Sequence, residues 1–153
     1  FWSHHHEYWE NIKAQMVRMP EIEYIGVLDH KAQLEVMAGA DVLVCCSRDE
    51  SFSLVVAEAA MLSTPIILSD AVGVSTLFDR DSSFMFETGD ALSLAEQMRS
   101  AFMQRDTISQ MGAAARRVFE KELSLEIFAE RFAALMEDHL EIEPTVSPRL
   151  VEA

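Results

Sequence analysis

Short runs of apolar, β-branched residues recur along the chain at 22–26, 41–46, 65–69 and 83–86, and they predict four strands. Between and after them, apolar residues recur with helical spacing over 7–19, 30–39, 54–62, 92–104, 108–122 and 125–139. Strands alternating with helices imply parallel pairing, so the expected fold class is α/β, a parallel sheet with helices on both faces. The runs Val42-Leu43-Val44-Cys45-Cys46 and Ile66-Ile67-Leu68 lack a polar alternate, as central strands buried on both sides do.

The last predicted helix carries Leu125, Phe128, Ala129, Phe132, Leu135 and Met136 on one stripe, opposite Glu126, Glu130 and Glu137, with Ser124 placed as its N-cap. That pattern predicts a helix packed on the domain. Beyond it, Pro144, Pro148 and scattered charges show no period, so 1–140 is expected as the domain and 141–153 as a flexible tail.

A length of 153 residues fits one domain with a hydrophobic core, and half the residues are apolar, which excludes a disordered chain. The net charge of -14 would repel a nucleic-acid backbone or an anionic membrane. No apolar run reaches the length of about 18 residues that a membrane span needs, and no secretory signal pattern opens the chain. Cys45 and Cys46, adjacent in an apolar run, are expected as reduced, buried thiols, which points to the cytoplasm. The chain opens on Phe1 rather than Met, so the expectation is a piece of something longer.

The segment from Asp41 to Asp70 could carry chemistry. A buried strand is followed by the polar loop Ser47-Arg48-Asp49-Glu50-Ser51, and a helix starts near Ser53. In an open parallel sheet, ligands bind beyond the carboxyl ends of the strands, where loops meet helix N-termini. Free amides around Phe52, Ser53 and Leu54, together with the helix dipole, could receive a phosphate there. Glu50 and Glu58, eight residues apart, could each accept hydrogen bonds from sugar hydroxyls, or could be two solvated carboxylates of an acidic chain.

The succession of strand, SRDES, apolar helix ending in EAAMLSTP, PIILSD, VGVSTLF, SFMFETGD and a long amphipathic helix resembles the C-terminal domain of group 1, GT-B type retaining glycosyltransferases. The resemblance runs from about Glu21 to Leu140 and includes MGAAARRVFEKELSLEIFAERFAALM. It implies a partial doubly wound, Rossmann-like sheet, the C-terminal half of a GT-B enzyme, lacking that domain's first two strands and the Arg and Lys that follow the first. Residue by residue, it implies that Glu50 contacts donor-sugar hydroxyls as the catalytic carboxylate and that Glu58 contacts the ribose. It also places the amides of Phe52, Ser53 and Leu54 near the diphosphate, and Gly73 in a loop facing the donor, while Thr64-Pro65 match the turn into the next strand. Arg48 either approaches the diphosphate or pairs with Asp49.

The implied function is transfer of a sugar from a nucleotide-sugar donor to a glycan or lipid acceptor with retention. No cofactor or metal is called for, and the acceptor would be bound by an N-terminal domain outside this chain, so the fragment alone is expected to be inactive. The expected location is cytoplasmic, with peripheral membrane attachment through that other portion as an option. Several positions depart from the family pattern: Ser53, Ser63 and Val72 stand for glycines, Thr76 for a frequent Glu, and Ser82-Ser83 for Asn-Gly. Each lost glycine restricts backbone torsions or close ligand approach. Two alternatives therefore remain, a non-catalytic glycosyltransferase-like scaffold and a GT-B nucleotide-sugar epimerase. Without the family's first two strands, the strand at 22–26 is expected either to pair abnormally with 41–46 or to stay detached.

Other tempting residues read more plainly. His4, His5 and His6 beside Glu7 splay apart on a helix and do not make a metal site. His30 is either a loop histidine or a ligand at the strand's carboxyl end, and Arg116 and Arg117 balance nearby glutamates.

Overall fold

The computed structural model describes residues 6–140; the expected tail at 141–153, and His4 and His5, lie outside the described residues. The chain divides into two compact units, one up to Gln33 and one from Leu34 onward.

In the first unit, α1 (His6–Met16) ends in turns in which the amide of Val17 donates to Lys13 O and that of Ile22 to Met19 O. Trp9 meets Tyr24 edge to face, with ring centroids 5.1 Å apart. Residues 22–29 form no strand, which corrects the expectation at 22–26. Their β-branched composition suits a pleated surface, but strand preference is realised only against a neighbouring ladder. No described strand pairs with this segment. Gly26 turns to a φ of 75°, and Val27 is 96% exposed. Asp29 then starts α2 (His30–Ala38), its Oδ1 accepting the Ala32 amide at 2.9 Å, so His30 is the first residue of a capped helix.

The second unit holds a parallel sheet in the order β1 (Leu43–Cys45), β2 (Ile66–Ser69), β3 (Phe84–Phe86). Leu43 pairs with Ile66, and Ile67 with Phe84, in parallel register. The expected α/β class holds, with helices on both faces. Ile66 and Leu68 of β2 point to α3 (Leu54–Met61), where they meet Val56, Ala59 and Ala60 and, from α5 (Ile108–Val118), Ala115. Ile67 points the other way, to Phe86 and to Ala101 of α4 (Ala91–Met103). This alternation is the period-two geometry of a strand buried on both faces. Asp90 caps α4 by accepting the Leu92 amide at 2.8 Å and the Ser93 amide at 3.1 Å.

Only β2 is central. The run at 41–46 proves to be an edge strand, and Val44 on its α4 side is 38% exposed beside an apolar cavity of about 530 Å³ lined in part by Ile67, Met98 and Phe102. Cys45 is buried, but Cys46, one residue past the strand, is exposed, so the expected pair of buried thiols reduces to one.

Helix α5 ends earlier than its apolar period, passing at Phe119–Leu123 into a π turn. Ser124 caps α6 (Leu125–Leu140): its carbonyl accepts the Phe128 amide at 3.0 Å and its hydroxyl the Ile127 amide at 3.4 Å. The expected packing of α6 is corrected. Leu125 is 75% exposed and Phe128 63%, and Phe132 and Leu135 are exposed as well. Amphipathicity fixes which face of a helix seeks cover, and no described element covers this one.

Candidate functional site

The loop that follows β1 is lashed to the segment that follows β2. Glu50 forms an isolated parallel bridge with Val72. The Gly73 amide donates to Glu50 O at 2.8 Å and the Val74 amide to Phe52 O at 3.2 Å. Closer to the sheet, the Ser69 hydroxyl donates to Ser47 O at 2.5 Å. These segments lie beyond the carboxyl ends of β1 and β2, the edge at which open parallel sheets receive ligands.

Gly73 permits the close approach. A Cβ at this position would overlap the Ser51 carbonyl oxygen and lie 2.7 Å from its carbon. No other residue fits without moving the SRDES backbone. Val72, standing for the other glycine of that pair, is extended, with φ -79° and ψ 121°, and is fully buried, so a side chain there strains nothing.

Ser53 and Ser63, the two serines at expected glycine positions in and after the loop, are also the only described non-glycine residues with positive φ, 81° and 60°. The torsional demand persists although the glycine does not, at a cost of about 1–3 kcal/mol for a residue in this region. Ser63 is the C′ residue of a Schellman motif closing α3: its amide donates to Ala60 O at 3.1 Å, and the Thr64 amide to Ala59 O at 2.9 Å. The Thr64 hydroxyl donates to Met37 O at 2.9 Å, tying α2 to the turn before Pro65. Arg116 donates to Met61 O and pairs with Glu120 at 2.7 Å, so it both balances a glutamate, as expected, and closes the end of α3.

Ser53 precedes α3 in a left-handed conformation, and its hydroxyl is not used as a cap. Instead it lies 3.7 Å from Cys45 Sγ. The first helical bond runs from the Ala57 amide to Ser53 O at 3.3 Å, so the first-turn amides of α3, beginning with Leu54, carry no side-chain cap. An uncapped helix start of this kind, with its partial positive charge, is suited to an anion.

Of the residues singled out from sequence, the structure brings Glu50, Phe52 and Gly73 into one hydrogen-bonded cluster. It sets Ser53 and Leu54 at the start of α3, and Glu58 one turn further along the same helix. Both glutamates are half-buried, whereas Phe52, Leu54 and Arg48 are exposed. The ion pairs among the described residues do not include one between Arg48 and Asp49.

The sequence reading missed Asp70 and Thr88. Asp70 Oδ1 accepts the Thr88 amide at 2.9 Å and the Thr88 hydroxyl, and Thr88 Oγ1 accepts the Ala71 amide at 3.1 Å. The hydroxyl bond first and the amide bond second hold the Asp70 carboxyl below the usual aspartate range, against a smaller opposing effect of burial. No local motif marks this pair, which is 18 residues apart. The available signal was position alone, since each follows a strand end at the ligand edge. Asp79 is held low in a similar way, chiefly by the Ser82 hydroxyl at 2.7 Å, which gives Ser82-Ser83 a turn-closing role. Among the described residues no cluster of three or more His, Cys, Asp or Glu could hold a metal, and no helix is long and apolar enough to cross a membrane.

Comparison with known proteins gives a consistent result. The family model described as glycosyl transferases group 1 matches residues 9–118. The chain is 29% identical over 118 residues to sulfoquinovosyl transferase SQD2 of Arabidopsis thaliana, covering 74% of this chain and 23% of that protein. It is 26% identical over 131 residues to N-acetyl-alpha-D-glucosaminyl L-malate synthase of Bacillus anthracis, covering 82% and 34% respectively. Among solved structures, Anabaena HepE in complex with UDP superposes with a TM-score of 0.80 at 16% identity, covering 89% of this chain and 38% of that one. Sucrose-phosphate synthase from Thermosynechococcus elongatus gives 0.76 at 22% identity, covering 84% and 33%.

Proposed function

Because this chain belongs to the group 1 glycosyltransferase family, we propose that residues 1–140 form the nucleotide-sugar binding part of a retaining glycosyltransferase. The chain spans 23% and 34% of the curated relatives it matches, and transfer is proposed for a protein of that length rather than for this chain alone. The observation that carries the reading is the uncapped first turn of α3 beside a loop held by the Glu50–Gly73 and Phe52–Val74 bonds.

In this reading the amides of Phe52, Ser53 and Leu54 hold the donor diphosphate, with Arg48 adding positive charge. Glu58 accepts from the ribose hydroxyls and Glu50 from the hydroxyls of the sugar, which fixes the anomeric carbon for attack. Gly73, whose lack of a side chain lets its segment close on the Ser51 carbonyl, belongs to the loop that faces the donor in this reading. The bond from the anomeric carbon to the diphosphate oxygen breaks as the acceptor oxygen bonds to that carbon on the same face. The acceptor proton passes to the departing diphosphate, so the reading calls for no cofactor and no metal. The HepE structures with UDP and with UDP-glucose support a nucleotide-sugar donor. A glycan or lipid acceptor and a cytoplasmic location, peripheral to the membrane if the acceptor is a lipid, complete the proposal. The serines at 53 and 63 take up the torsions a glycine would have, and Val72 is unstrained, so the departures from the family pattern do not favour a scaffold.

The test uses the full-length protein and its transfer kinetics. A lost charge-assisted hydrogen bond is worth about 1.5–3 kcal/mol, so Glu58→Ala is expected to raise the donor KM by about tenfold or more. Glu50→Ala is expected to lower kcat by about tenfold to a hundredfold. Unchanged kinetics in both variants refute this site. Interconversion of nucleotide sugars with no acceptor present would identify an epimerase instead.

A further inference from the structure

Two loops meet beyond the carboxyl ends of β2 and β3, and one side chain from each joins them. Asp70, the first residue after β2, takes both the amide and the hydroxyl of Thr88 on Oδ1, and its backbone amide donates to Phe86 O at 3.1 Å. The hydroxyl of Thr88 has one proton and two lone pairs. A carboxylate only accepts, so the proton goes to Asp70 and a lone pair takes the Ala71 amide at 3.1 Å. The Ser75 hydroxyl donates to Asp70 O at 3.4 Å, fastening the segment's far end. Residues 70–75 are thus tied to the loop after β3 on one side and, through the Gly73 and Val74 amides, to Glu50 and Phe52 on the other.

We propose that the Asp70–Thr88 pair is a positioning clasp that sets how 72–74 present themselves to the Glu50 loop, and so tunes donor affinity without touching the donor. This rests on the donor-site reading above. The bond is charge-assisted, hence stronger than an ordinary hydroxyl bond. It also sits on the exposed rim rather than in the core around Ile66 and Leu68, so its loss should loosen the rim while the sheet stays folded. Valine has the shape of threonine but can neither donate nor accept, whereas serine can do both.

The experiment compares wild type, Thr88→Val, Thr88→Ser and Asp70→Ala in the full-length protein. It reads calorimetric affinity for UDP, GDP and ADP in turn, and hydrogen exchange at the Gly73 and Val74 amides. Thr88→Val is expected to weaken the nucleotide that binds best by about fivefold to tenfold and to speed both amides by about tenfold, with Tm nearly unchanged and Thr88→Ser restoring both readouts. Wild-type affinity in Thr88→Val, alongside a nucleotide-binding wild type, overturns the clasp's role. A wild type that binds none of the three nucleotides overturns the donor-site reading and, with it, the clasp's role in donor affinity, and unchanged Gly73 and Val74 exchange in Thr88→Val overturns the clasp itself. Should Thr88→Val fail to fold, Asp70→Ala, which takes the acceptor away from the Thr88 hydroxyl and amide, against Thr88→Ser gives the same contrast.

Discussion

Helices α3 and α6 are both rich in apolar residues, yet one is buried and the other is left uncovered by the described residues. In α3, Val56, Ala59 and Ala60 are fully buried between β2 and α5. In α6, Leu125, Phe128, Phe132 and Leu135 all stand exposed, and the rings of Phe128 and Phe132 stack on each other with centroids 6.0 Å apart. What separates the two is neighbours rather than hydrophobicity. Small residues let α3 and α5 approach closely, and β2 supplies a flat face beneath. Among the described residues, Phe128, Phe132 and Leu135 of α6 line a cavity of about 320 Å³ that they share with Phe52 and Leu123.

The comparison is broken most severely at Gly112. A Cβ there would overlap the Ser63 carbonyl oxygen and lie 3.0 Å from its carbon, so Gly112→Ala should lift α5 off the end of α3. A loss of about 3 kcal/mol in denaturant unfolding is expected, at the upper end of overpacking costs. No measurable loss would mean that α5 does not press on that turn. Next in size, Ser63→Gly relieves the left-handed φ of 60° at the Schellman position and should stabilise the chain by about 1 kcal/mol. A destabilisation would show that the serine side chain contributes more than its torsion costs. The smallest effect is expected from Phe128→Ala, within about 0.5 kcal/mol, as for an exposed position. A cost above about 2 kcal/mol, in the range for a buried aromatic, would show that the α6 stripe is covered in solution.

The placing of the candidate residues at a strand end, a loop and a helix start was legible because it is local. SRDES followed by an apolar helix places a strand end, a loop and a helix start within a dozen positions, and sequence spacing conveys that directly. The glycine departures were legible too, and the structure gives each a different meaning: torsion at Ser53 and Ser63, no constraint at Val72, and close approach at Gly73. Asp70 and Thr88 were not legible, because a hydrogen bond between two loop ends leaves no periodic trace. The segment at 22–26 misled for the reverse reason, since a strand-like composition is realised only where a partner ladder exists.

By itself the sequence determined the α/β class, the order of strands and helices from 41 onward, and the family, because hydrophobic period and motif spacing are properties of neighbouring positions. Tertiary structure alone decided that β1 lies at the edge of the described sheet, that no described element covers the apolar face of α6, and that Asp70 closes on Thr88. Each of these depends on which distant segments come to lie side by side. Pairing of that kind is governed by the packing of whole faces, which local pattern does not encode.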